Sequence, residues 1–137
     1  MRFVVDASVA LKWFVPEPGR DHALRLFDHA LSSPDLLLPE FANALWKKER
    51  RGEITRERGR AILSEIRKFA IDIRPSRALI DLAFVLATQT GATVYDSVYL
   101  SLAAAEGSVL VTADRRLLER CHNRLLSRSV IPLEDLP

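Results

Sequence analysis

Short runs of Val, Leu and Ile alternate along this chain with longer stretches whose apolar positions recur every three or four residues. Phe3-Val4-Val5 reads as a buried strand. A short helix follows from Ser8 to Phe14 and is stopped by Val15-Pro16-Glu17-Pro18-Gly19. Asp21 to Leu31 carries apolar residues at 23, 24, 26, 27, 30 and 31, a helical stripe, and Leu36-Leu37-Leu38 predicts a second strand. After Pro39 a helix runs from about Glu40 to Arg51, and Gly52 closes it. Thr55 to Phe69 is amphipathic, with apolar positions 62, 63, 66 and 69 opposite a basic face. Ala70-Ile71-Asp72-Ile73 alternates like an edge or half-buried strand. Ser76 to Thr90 is helical, with Ser76 as its cap and Gly91 as its stop. The chain then predicts a helix over Tyr95–Glu106, a strand over Ser108–Thr112, a helix over Asp114–Leu126 and a last strand at Ser129-Val130-Ile131. Strands separated by helices pair in parallel and are covered on both faces. The expected fold is a three-layer α/β/α sandwich on a short, mainly parallel sheet of four or five strands.

Composition narrows this picture without redirecting it. The chain has 137 residues, 48% hydrophobic and 28% charged, which is one ordinary domain with a real core, expected to span 1–137. A net charge of +2 permits contact with a polyanion but does not argue for one. Cys121 is the single cysteine, so no internal disulfide forms and a reducing cytoplasm is the expected location. Asp6 and Lys12 interrupt the apolar N-terminal stretch, against a signal peptide, and Leu79–Ala87 is too short to span a bilayer. No membrane association is expected.

Chemistry enters with four acids. Asp6 follows Phe3-Val4-Val5, Glu40 follows Leu36-Leu37-Leu38-Pro39, and Asp114 follows Val109-Leu110-Val111-Thr112-Ala113, so each is expected where a strand ends and a helix begins. Asp96 opens a helix after Thr93-Val94-Tyr95. Aspartate at such places is often no more than a helix cap; Glu40, a poor cap preceded by proline, fits that reading less well. In a parallel sheet all strand ends of one kind share an edge, where ligands bind. Four carboxylates gathered there repel one another and call for a cation. Oxygen-only ligands suit Mg²⁺ or Mn²⁺ rather than Zn²⁺, and such ions activate water for attack on phosphorus. Capping and a shared metal site both remain open on pattern alone.

The segments Val4-Val5-Asp6-Ala7-Ser8, Leu38-Pro39-Glu40-Phe41-Ala42-Asn43, Val94-Tyr95-Asp96-Ser97 and Val111-Thr112-Ala113-Asp114-Arg115 together resemble the signatures of PIN-domain nucleases. They are most similar to the VapC-type toxins of toxin–antitoxin pairs, in order, spacing and over essentially the whole chain. The resemblance implies an Mg²⁺- or Mn²⁺-dependent endoribonuclease, a homodimer, and a VapB-like antitoxin whose tail occupies the active-site groove. It implies that Asp6, Glu40, Asp96 and Asp114 are the catalytic, metal-binding acids. Ser8 and Thr112 would be polar supports and Asn43 an outer one. Where some relatives carry a further acid, Arg115, Arg116 and Leu117 stand here, so the resemblance carries one ion and leaves a second open.

Other features carry less. Lys47, Lys48, Arg50 and Arg51 do not share one helix face, because adjacent residues point roughly 100° apart; solvated helix end and RNA contact, Lys47 included, are equal readings. Arg115 and Arg116, beside a candidate ligand, are better placed for a phosphate. Arg56, Arg58 and Arg60 read as solvated surface. His22, His29 and His122 have no ligand spacing, Ser8 lacks a G-x-S-x-G context, and no glycine pair forms a phosphate loop. Trp13, Phe14 and Trp46 read as core or interface aromatics, which if exposed would line a groove for a partner helix. The competing functions are a catalytically silent binding module of the same fold and a phosphoacceptor signalling domain. The second wants an early acidic pair and a late Lys that this chain lacks.

Overall fold

The computed structural model describes residues 1–122 and 126–137. Five strands form one all-parallel sheet in the order β3-β2-β1-β4-β5. They are β1 (Arg2–Val5), β2 (Ala30–Pro34), β3 (Ile71–Arg74), β4 (Val109–Thr112) and β5 (Val130–Pro132). The helices are α1 (Ala7–Leu11), α2 (Arg20–Arg25), α3 (Leu37–Arg50), α4 (Arg56–Ile66), α5 (Ile80–Thr90), α6 (Val94–Glu106) and α7 (Arg115–Arg120). Short 3₁₀ turns follow α2, precede α5 and follow β5.

Alternation along the central strand builds the three layers. Phe3 and Val5 face one core, with Leu26, Leu37, Phe41, Leu45 and Ile62 from α3, α4 and the segment around α2. Val4 faces the other, with Tyr99, Leu100, Leu110 and Leu117 from α6, β4 and α7. The chain winds outward from β1 through β2 to β3, then crosses back to add β4 on the other side of β1. The carboxyl ends of β1 and β4 therefore flank the point where the winding reverses, where open α/β sheets bind ligands. Among the described residues, no single helix is long and apolar enough to cross a membrane.

Two expectations around β2 are corrected. The segment 21–31 is not one helix: α2 ends at Arg25, a 3₁₀ turn covers Leu26–Asp28, and Ala30-Leu31 begin β2. Leu36-Leu37-Leu38 is not a strand, because α3 starts at Leu37 with Pro39 in its first turn, where a missing N–H leaves no bond unmade. The strand hides behind its serines. Ser33 Oγ donates to the Val5 carbonyl at 2.8 Å and Ser32 Oγ to Glu106 Oε2 at 2.6 Å, so two polar side chains are buried with partners. Ser33→Ala should cost about 1–2 kcal/mol in urea denaturation, the usual effect of removing one such bond; an unchanged midpoint would show that this bond adds nothing net.

Smaller differences follow the same logic. Ser76 does not cap α5 through its side chain; its backbone N–H is held by Asp35 Oδ1 at 3.1 Å, and a 3₁₀ turn precedes the helix. The helix expected over 114–126 is described as Arg115–Arg120, and 123–125 lie outside the described residues. Trp13 is buried against Phe27 and Phe69, whereas Trp46 is 51% exposed with the Arg50 guanidinium 5.0 Å from its ring centre.

Candidate active site

The ends of β1 and β4 each hand an acid to the next helix. Asp6, directly after β1, is the N-cap of α1, and its Oδ1 accepts from Val9 N at 3.2 Å. Asp114, two residues beyond β4, caps α7 and accepts from Arg116 N at 3.0 Å and Leu117 N at 3.2 Å. Asp96 lies one turn into α6, whose cap is Thr93. Glu40 is in the first turn of α3 and not at a strand end, which corrects the placement expected for it. All four acids nevertheless line one cleft of about 560 Å³ above the reversal point.

Capping does not exhaust these carboxylates. Asp6 is only 8% exposed and also accepts from Ser8 Oγ at 2.6 Å and from Thr112 Oγ1. Those two hydroxyls take bonds in turn from the backbone after β4, Ala113 N to Ser8 Oγ and Asp114 N to Thr112 Oγ1, each at 3.0 Å. The loops after β1 and β4 are thus tied together through the Asp6 carboxylate. An acid used only as a cap would not need to be buried among side-chain donors.

Electrostatics point the same way. Burial pushes the Asp6 carboxyl up, against the donors Ser8, Thr112 and Val9 that pull it down, and Asp114 adds to the rise. Asp96 is raised by burial and then by Asp114, with Thr93 and Arg120 opposing. Glu40 is pushed up to about 7, first by burial and then by the charges of Asp6, Asp96 and Asp114. The Tyr99 phenol is raised by burial, then by Glu40 and Asp6, so it stays a protonated donor. Tyr99 faces Glu40 and draws its carboxyl down, yet no aligned hydrogen bond closes between them, and the buried Glu40 Oε1 is without a partner. The cleft concentrates negative charge, and among the described residues that line it Lys47 is the one cation.

The expected supporting residues separate into two groups. Ser8, Asn43 and Lys47 line the cleft and Thr112 braces Asp6 beneath it, whereas Arg115 borders a different hollow and pairs with Glu134 at 2.8 Å. Arg116 is outside the cleft lining as well. Tyr95, 65% exposed, and the buried Tyr99 are cleft residues that motif reading passed over. The signal for them was spacing: positions 95, 96 and 99 share a face of α6, as 40, 43, 44 and 47 share one of α3.

Comparison with known proteins gives the family. Residues 3–123 match the sequence model of the PIN domain. The chain belongs to the PIN domain family. A relative, Ribonuclease VapC3 of Pyrobaculum aerophilum, is 38% identical over 124 residues, covering 88% of this chain and 95% of that one. Among solved structures, PAE2754 from Pyrobaculum aerophilum superposes with a TM-score of 0.72 at 25% identity, over 98% of this chain and 85% of that one. VapBC2 from Rickettsia felis, solved with a DNA fragment of its promoter, gives 0.65 at 15% identity, over 96% of this chain and 98% of the matched one. That second likeness bears on the fold alone.

Proposed function

We propose that this PIN domain is a VapC-type toxin ribonuclease that hydrolyses RNA at the four-carboxylate cleft with a bound Mg²⁺ or Mn²⁺. The observation that carries the reading is the convergence of Asp6, Glu40, Asp96 and Asp114 on one cleft with too little positive charge to balance them. Among the described residues no three potential ligand side chains already form a cage for an ion. An unpartnered buried carboxylate oxygen on Glu40 and oxygen-only donors are what such an ion requires. When bound, it would polarise the phosphoryl group and lower the pKa of a water.

The chain's own residues supply the rest. Ser8 and Thr112 hold Asp6 by both oxygens, fixing its orientation before substrate arrives. Asp114 and Asp96, at helix N-termini, stand where backbone N–H groups favour negative charge. Lys47, reaching the cleft from α3, is placed to meet a phosphate. RNA cleavage that needs all four acids and a divalent ion tests the reading, and a folded protein that cleaves no RNA under any divalent ion would return it to a silent binding module. Thr112→Val should lower cleavage about 10–100-fold at limiting metal without unfolding the chain; unchanged rates would reduce Thr112 to a packing role.

Two faces support protein partners. Ile80, Leu82, Phe84 and Val85 of α5 are each exposed, apolar area of the kind a homodimer would cover. Trp46 stands beside a groove between α3 and α4 lined by Leu45, Leu63, Arg56 and Arg60, suited to an amphipathic antitoxin segment with acidic flanks. Phe84→Glu should convert a dimer to a monomer in light scattering; a dimer that survives it would place the interface elsewhere.

A further inference from the structure

Buried polar atoms normally have partners, and exceptions call for an explanation. Four buried side-chain atoms without one stand out among the described residues: Glu40 Oε1, Ser97 Oγ, Tyr99 Oη and Ser108 Oγ. Two of these four, a hydroxyl donor and a carboxylate acceptor, line the same acidic cleft, with Tyr99 near enough to draw the Glu40 carboxyl down. Tyr99 projects from α6 and is 2% exposed, while Glu40 projects from α3. Phenylalanine would fill the Tyr99 space without stranding a hydroxyl, so packing alone gives no reason for the oxygen.

The surroundings show what the hydroxyl can do. Asp6 is gripped by Ser8, Thr112 and a backbone N–H, and Asp114 by two backbone N–H groups. Glu40 Oε1 has no such donor among the described residues, although Glu40 is the longest and most flexible of the four acids. Carboxylates that ligate ions are generally held by an outer hydrogen bond that orients them. Tyr99 is the group placed to give one. We infer that Tyr99 is a positioning residue: its hydroxyl donates to one Glu40 oxygen when the cleft is loaded and turns the other toward the ion. The inference rests on the metal-site reading above.

The test is Mn²⁺ titration calorimetry on the full chain at neutral pH without RNA, beside melting curves in chelator. Tyr99→Phe is expected to weaken Mn²⁺ binding about tenfold, with an unchanged melting temperature. In a Glu40→Gln background, the same change should cost no further affinity, because the hydroxyl acts through that carboxylate. Wild-type affinity in Tyr99→Phe, or an equal loss in both backgrounds, would overturn the inference and leave the metal centre standing. A lowered melting temperature with unaltered Mn²⁺ affinity would likewise overturn it, assigning Tyr99 to packing. Absence of Mn²⁺ binding by the unaltered protein would instead overturn the metal centre, and this inference with it.

Discussion

Asp6→Asn is expected to abolish RNA cleavage, by about a thousandfold or more, in a protein that still folds. The size follows from removing an ionised ligand worth several kcal/mol of charge stabilisation, each ~1.4 kcal/mol being tenfold in rate. Folding should survive for reasons specific to this residue. Asn is as good an N-cap as Asp, so the Val9 N–H keeps an acceptor. Ser8 and Thr112 both donate to Asp6, and either hydroxyl can turn to accept from the new amide. Burial also opposes the charge at this position, so the neutral side chain relieves a penalty. The paired measurements are cleavage of a labelled RNA at fixed Mn²⁺ and thermal unfolding by circular dichroism. Asp96→Asn should behave alike, and full activity in both variants would end the four-carboxylate reading.

The contrast between Asp6 and Glu40 shows what the sequence makes legible. Asp6 and Asp114 follow clear apolar strands, so the topology of a parallel sheet already places them at one edge, beside each other on β1 and β4. Glu40 reaches the same cleft by a route that pattern reading mistook. The apolar triplet before it is the buried first turn of α3, and the true strand, β2, carries Ser32 and Ser33 where apolar residues were expected. Local pattern cannot reveal that those hydroxyls are satisfied by Glu106, 74 positions away, and by the Val5 carbonyl. Tertiary partners decided the element there, overriding propensity. The position of Glu40 in the cleft was still recoverable, because motif order does not depend on where a helix starts. Arg115 shows the opposite limit: adjacency to a candidate ligand suggested phosphate contact, whereas helix geometry turns it toward Glu134. Sequence neighbours of an active residue are not its spatial neighbours when a helix begins between them.

Removing divalent metal should stop cleavage altogether, and adding Mn²⁺ back should restore it; activity that persists in excess chelator would point to a metal-free mechanism. The same experiment read as stability carries a signed pH dependence. The Glu40 carboxyl titrates at about 7 in the folded chain against an ordinary 4.5. Its raised value means that the folded state holds the proton more tightly than the unfolded one. Its favourable contribution is therefore full below about 4.5 and is lost as pH rises through 7, where the acid is forced to ionise beside Asp6, Asp96 and Asp114. Metal-free protein should accordingly melt lower at pH 8 than at pH 5.5. A bound cation reverses the sign at the high end, since it needs Glu40 ionised and offsets the repulsion. At a metal concentration near a hundred times its dissociation constant, the gain is roughly 2.7 kcal/mol, or roughly 10 °C in melting temperature for a chain of this size. That gain should shrink at pH 5.5, where a proton must first leave Glu40. Equal stabilisation by Mn²⁺ at both pH values would remove Glu40 from the ligand set while leaving the three aspartates in it.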